Sequence, residues 1–393
     1  MRGSSAAAAE VASSRMRPEP FLLDRWLEQK HGVNGANAID LASSTGPAMT
    51  LWELLEVAGA PGFLDELRST RLVYAPADGA QELREAIADF EGTTADNVLV
   101  CTGAAEALTI MLVCAAGSRA NIVCPDPDFP AITALARSLG IEVRHYRLSR
   151  DRGFQLDVEA ATSLVDANTR LLLIISPHNP TGAVVPDGAR AALHDFCAAR
   201  NLSFVCDQVY HPVYHTAGTV PPGCSASALP AATVIGDCSK ALSLSGLRIG
   251  WIIEPDRSRR EGFVDARAYI SISSTALGER LATLALRHRE RILSWARRET
   301  SGSLELLDGF FHEHADHFGW VRPAGGYTAF PWLLRESCAT PFCHWLLRDR
   351  GIMVAPGECF RHPSHFRMGF GAGAARVACG IERLDAAVRD YFR

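Results

Sequence analysis

The segment Arg170–Ile175 (RLLLII) is apolar at every position after its first. A strand with one face in water alternates apolar and polar residues, so an unbroken apolar run argues that both faces are covered. Such a strand belongs in a sheet with helices on both sides, which makes the chain α/β. Further short apolar runs, Val98–Thr102 (VLVCT), Asn121–Cys124, Glu142–Tyr146, Leu202–Cys206 and Thr233–Ile235, read as companion strands. Segments with helical spacing, Ala131–Leu139 and Arg190–Arg200, fall between them. This alternation is the rhythm of a mainly parallel central sheet covered by helices.

An N-terminal helix is expected over Phe21–Lys30, from the spacing of Leu22, Leu23, Trp26 and Leu27. From Leu281 the pattern changes to long arginine-rich helical stretches, then GGYTAFPWL and a C-terminal helix, which reads as a smaller α+β domain. The expected division is a flexible tail over 1–20, an N-terminal segment over 21–45 that packs with the small domain, a large domain over 46–280 and the small domain over 281–393.

Composition excludes several classes of function. With 393 residues, 48% hydrophobic and 21% charged, the chain reads as soluble and globular with a sizeable core. A net charge of −5 argues against nucleic acid as a ligand. No apolar run approaches the roughly 20 residues needed to span a bilayer. The N-terminal MRGSSAAAAEVASSR is interrupted by Glu10 and lacks the apolar core of a secretion signal. The 11 cysteines form no CxxC pair and lie in apolar segments such as Leu112–Ala116, as buried reduced thiols of a cytoplasmic protein would. His312, His314 and His317 could suggest a metal, but no fourth ligand is placed and the run reads as a solvated helix face; no metal is expected.

Chemistry concentrates in Gly236–Trp251, GDCSKALSLSGLRIGW. Lys240 follows an apolar run, where a lysine either snorkels out of a strand end or is a desolvated amine poised to form a Schiff base. Arg248 sits between Gly246 and Gly250, where backbone and guanidinium can both approach a phosphate. Strand Val98–Thr102 feeds the small-residue turn Gly103–Ala107, and free amides at such a helix start form an anion site. Asp207 closes a buried strand, a costly place for an acid without a partner.

Ser-Lys, an apolar loop and Gly-Leu-Arg-Ile-Gly-Trp resemble the cofactor-lysine segment of the class I and II aminotransferase family, fold-type I enzymes that use pyridoxal 5'-phosphate. The likeness runs from about Phe21 to the C-terminus, with several motifs in the family's order. It implies that Lys240 binds the cofactor covalently and moves the substrate's α-proton. It further implies that Gly103, Ala104, Ala105, Ser239 and Arg248 hold the phosphate and that Phe129 stacks on the pyridine ring. Asn179, from SPHNPTG, and Tyr210 would share the phenolic oxygen, and Asp207 would pair with the ring nitrogen. Tyr74 would reach the phosphate of a neighbouring subunit, making a homodimer with a shared site. Arg367, in HFRMGFG, would grip the α-carboxylate of a small amino-acid substrate, beside Ser44 and Gly46. On residues alone, plainer readings stay open: a surface tyrosine for Tyr74, core for Phe129, a polar turn for Ser43–Gly46. One departure is Asp237, which stands where many members have a serine and is expected to point away from the phosphate.

More narrowly, the WL helix, IDLASSTG, LWELL and GDCSKALSLSGLR resemble the capreomycidine synthases within that family, with Trp52 as a departure. That likeness implies dehydration and cyclisation of a 3-hydroxyarginine in antibiotic biosynthesis. The alternative is an aminotransferase that passes the amino group to a 2-oxo acid. A ligand-sensing regulator would need a DNA-binding domain, and only about 20 residues precede the first helix.

Overall fold

The computed structural model describes residues 19–31, 38–215 and 225–393. All but the last two residues of the expected 1–20 tail lie outside them.

A two-residue strand, β1 (Ile39–Asp40), precedes the main sheet. Seven strands then follow: β2 (Val98–Cys101), β3 (Asn121–Asp126), β4 (Glu142–Arg147), β5 (Thr169–Ile175), β6 (Ser203–Asp207), β7 (Thr233–Asp237) and β8 (Gly250–Ile253). They form one sheet in the order β2-β8-β7-β6-β5-β3-β4. Only β8 runs against the rest, pairing antiparallel with both β2 and β7. The apolar run that announced the architecture is β5; Arg170 is exposed and Leu171–Ile175 are buried. Burying each such aliphatic side chain contributes about 1.5–3 kcal/mol, which is why this strand is central.

The helices cover the sheet as the spacing predicts, with ends shifted by a few residues. Pro130 opens the helix Pro130–Ser138, where its missing N–H has no intrahelical role. The N-terminal helix stops at Leu27 and continues as a 3-10 turn over Glu28–His31. Thr50 and Glu53 close a capping box at the start of Leu51–Ala58, and Trp52 on that helix is 60% exposed.

The C-terminal region contributes a small antiparallel sheet in which Phe366–Gly369 lies between Thr328–Ala329 and Ala355–Pro356. β1 pairs in parallel with Ile352–Met353, and Trp26 Nε1 donates to the Val354 carbonyl at 2.9 Å. The N-terminal segment is thereby joined to the stretch leading into Ala355–Pro356, which pairs with the strand that carries Arg367.

Two expectations need correction. His314 does not lie on a solvated face: it is buried, with Nε2 2.7 Å from Asp385 Oδ1, and its neighbour His317 stacks on Phe392. Arg389 forms ion pairs with both Asp385 and Glu313, so those acids are already compensated. The cysteines are not uniformly buried either. Cys114 and Cys379 are exposed on helices, while Cys101, Cys124, Cys197, Cys206, Cys238 and Cys343 are buried.

Candidate active site

Ala104, Ala105, Phe129, Asn179, Asp207, Tyr210, Ser239, Lys240 and Arg248 line one cleft of about 180 Å³ at the carboxyl ends of β5, β6 and β7. Open α/β sheets bind ligands at that edge, because strand-end loops are free to carry side chains and helix starts point their amides there.

At one end of the cleft, β2 turns through Gly103 into the helix Ala104–Ala115. Gly103 has φ +77°, and a Cβ there would lie 2.6 Å from Arg248 Nη2. A Cβ on Gly250 would lie 2.8 Å from the Ala104 nitrogen. The two glycines therefore let the helix start, β8 and Arg248 converge, where a side chain would fill the cradle. Arg248 is itself left-handed (φ +53°) and donates to the Ser245 carbonyl at 3.2 Å. Among the described residues, the buried Ser239 hydroxyl has no hydrogen-bond partner. Free helix amides, a guanidinium and an orphaned hydroxyl together make an anion site.

At the other end, Asp207 is the last residue of β6, flanked by Ile175 and Ile235 on the neighbouring strands and 5% exposed. Its carboxylate accepts the Val209 N–H at 3.3 Å, and no ion pair among the described residues offsets its charge. Burial pushes its pKa up to about 7. A ligand cation meeting this acid would remove the strain. Lys240, on the cleft floor, has its pKa lowered by burial, with the carboxylate of Asp237 opposing. Its Nζ donates to Ser44 Oγ at 3.1 Å and lies 6.0 Å from the Tyr210 ring centre.

Asp237 lines the same cleft, buried, with its carboxylate accepting the Ser239 N–H at 2.9 Å. Burial raises its pKa, and the turn it braces sets the direction of Ser239 and Lys240.

The loop from Asp40 to Gly46 lies across Lys240. The Asp40 carboxylate accepts from the backbones of Ala42 and Ser43 at 2.9 and 2.8 Å and from the Ser43 hydroxyl at 2.6 Å. Gly46 packs on the lysine loop: a Cβ there would meet Ser243 Oγ and lie 3.1 Å from the Lys240 carbonyl. Arg367, 1% exposed, donates through Nε and Nη2 to the Ala42 carbonyl at 3.1 and 2.7 Å. Its Nη1 donates to Asn179 Oδ1 at 3.1 Å. Two N–H groups of the fork remain for a ligand carboxylate, and Asn179 keeps its amide NH2 as donor. Tyr210 donates its hydroxyl to the Ser44 carbonyl at 3.1 Å.

Tyr74 is not brought to this cleft. It is 78% exposed and lines a separate groove with Phe63, Glu279 and Arg280. Residues that sequence reasoning missed include Asp40, Tyr327, whose ring meets Tyr210 edge-on, and Arg361. Arg361 pairs with Asp126 and Asp128 at 2.9 and 3.0 Å and so ties the loop carrying Phe129 to the C-terminal region. Asp40 carried a signal, an acid just before Ser43 and Ser44. Arg361 is one arginine among many.

The donor set fits pyridoxal 5'-phosphate: an anion cradle, a buried acid for a protonated ring nitrogen, an aromatic flank and a primary amine. Comparisons with known proteins agree. The profile described as aminotransferase class I and II matches residues 39–384. A capreomycidine synthase from Streptomyces vinaceus is 26% identical over 373 residues, covering 94% of each chain. A valine–pyruvate aminotransferase from Mycobacterium tuberculosis is 25% identical over 394 residues, covering 94% of this chain and 96% of the relative. The solved structure of the PLP-dependent cyclase OrfR superposes with a TM-score of 0.85 at 26% identity, covering 96% of this chain and all of the other.

Proposed function

This chain belongs to the class I and II aminotransferase family and is a pyridoxal 5'-phosphate enzyme; from that premise we propose that it dehydrates and cyclises 3-hydroxyarginine, as a capreomycidine synthase does. The observation that carries this reading is the likeness to the Streptomyces vinaceus enzyme over 94% of each chain. The solved cyclase supports it independently.

When bound, pyridoxal 5'-phosphate would supply an electron sink for the substrate's α-carbon and so make the α-proton removable. In this reading Lys240 takes that proton, its burial favouring the neutral amine that a base requires. Asp207 would hold the ring nitrogen protonated, and the Ala104–Ala105 amides, Ser239 and Arg248 would anchor the phosphate. Arg367 offers its two uncommitted N–H groups to the α-carboxylate. The β-hydroxyl leaves as water, and a guanidino nitrogen must reach the β-carbon before solvent does. The Asp40–Gly46 loop packed over Lys240 supports such exclusion of water.

The site is further proposed to be completed in a homodimer. Tyr74 projects with Leu72 and Val73, which are 81% and 62% exposed. Apolar side chains grouped in this way mark a face for another protein, here a second copy. The division into 46–280 and 281–393, with 21–45 joined to the latter, belongs to the same reading and draws support from the pairing of β1 with Ile352–Met353.

The valine–pyruvate aminotransferase likeness favours a second reading, in which the amino group passes to an oxo acid. Mass spectrometry separates the two. Incubation with 3-hydroxyarginine alone gives a product lighter by one water if the cyclase reading holds. Turnover only with an added 2-oxo acid, recovered as an amino acid, makes the protein an aminotransferase.

A further inference from the structure

The hydrogen bond from Lys240 Nζ to Ser44 Oγ, at 3.1 Å, belongs to lysine as a free amine. A neutral free amine has two N–H donors, whereas a nitrogen double-bonded to the cofactor's carbonyl carbon has at most one. Ser44 therefore interacts differently with the two forms of Lys240, and only such a difference shifts an equilibrium. We propose that Ser44 is a positioning residue that holds Lys240 once an incoming amine has displaced it from the cofactor, and so favours that exchange.

The hydroxyl is held where it can do this. The Ser44 carbonyl accepts from Tyr210, Ser43 is bound to the Asp40 carboxylate, and the Ala42 carbonyl takes two bonds from Arg367. Gly46, two residues on, lies against the backbone of Lys240 itself. Four anchors within five residues fix the Ser44 backbone, so little rotamer freedom is lost when the hydroxyl accepts. In the exchange, the carbon–nitrogen bond to Lys240 breaks as one forms to the incoming nitrogen. The proton shed by that nitrogen is taken up by Lys240, so the step needs no oxidant or reductant. The inference rests on Lys240 as the cofactor lysine, and not on the cyclisation reading.

The test uses the full-length, cofactor-loaded protein and methylamine as the incoming amine. Wild type, Ser44→Ala and Ser44→Thr are titrated with methylamine and reduced with borohydride at each concentration. Peptide mass spectrometry then gives the fraction of cofactor fixed on Lys240, and the rest is recovered as the reduced methylamine adduct. The loss of one hydrogen bond to the neutral amine should raise the half-displacement concentration by about fivefold in Ser44→Ala. Ser44→Thr, which keeps the hydroxyl, should stay within about threefold of wild type. Coincident curves for wild type and Ser44→Ala would overturn the proposal, as would a threonine variant as impaired as the alanine. Wild-type cofactor fixed on another lysine before methylamine is added would overturn the site assignment, and this inference with it.

Discussion

Replacing Asp207 with asparagine separates two consequences of one buried charge. Burial lifts the Asp207 carboxyl from 3.8 to about 7 in the folded, cofactor-free protein. At about 1.4 kcal/mol per unit, ionising it in place costs on the order of 4 kcal/mol above neutral pH. The folded pKa lies above the unfolded value, so the folded state binds more protons between them. This group's contribution to stability is therefore intact below about pH 4, falls as pH rises, and is fully lost above about pH 7. Asparagine does not titrate and escapes that fall. Relative to wild type, cofactor-free Asp207→Asn should thus gain about 2 kcal/mol between about pH 5.5 and pH 8, read from urea unfolding at the two pH values. Loading the cofactor should reverse the ranking at pH 8, because a protonated ring nitrogen compensates the aspartate and gives the amide little. Turnover should fall about a hundredfold or more with a modest change in substrate affinity. Parallel pH dependences for the two cofactor-free proteins would refute the claim that Asp207 carries an uncompensated buried charge.

Other perturbations probe the rest of the site. Lys240→Ala should abolish turnover while retaining cofactor non-covalently, seen as absorbance that survives gel filtration but is lost on denaturation. Gly103→Ala forces alanine to φ +77° and crowds Arg248; it should cost about 1 kcal/mol in stability and weaken cofactor binding about tenfold, measured by equilibrium dialysis. Arg361→Met leaves Asp128, fully buried, without its guanidinium. It should destabilise the protein by about 3 kcal/mol in urea unfolding and raise KM more than it lowers kcat, since the Phe129 loop loses its tie. Tyr74→Phe should leave the protomer's stability unchanged and weaken cofactor retention only where analytical ultracentrifugation finds a dimer.

Much of this site was legible because its chemistry forces unusual residue choices into regular elements. An acid at the end of a strand as apolar as β6, and a lysine just after β7, stand out against their surroundings. The unbroken apolar run of β5 revealed the covered sheet for the same reason. Residue type alone marked Asp237 as a departure but did not supply its partner, the Ser239 amide onto which its carboxylate is turned. The hydrogen bond from Tyr210 to the Ser44 carbonyl and the ties of Arg361 span 166 and more than 230 residues, and no local pattern encodes such contacts. His314 was misread because one helix face packs on the C-terminal helix Ala374–Tyr391, whose Asp385 supplies the partner.

The most direct test of the account follows the cofactor through turnover. The loaded enzyme is given 3-hydroxyarginine in excess with no oxo acid, allowed many turnovers, then reduced with borohydride and mapped by peptide mass spectrometry. A cyclase returns the cofactor to Lys240 in every cycle, so the label should be recovered on Lys240 alongside a product lighter by one water. Cofactor recovered as the free pyridoxamine form after a single turnover, with Lys240 unlabelled, would contradict the account.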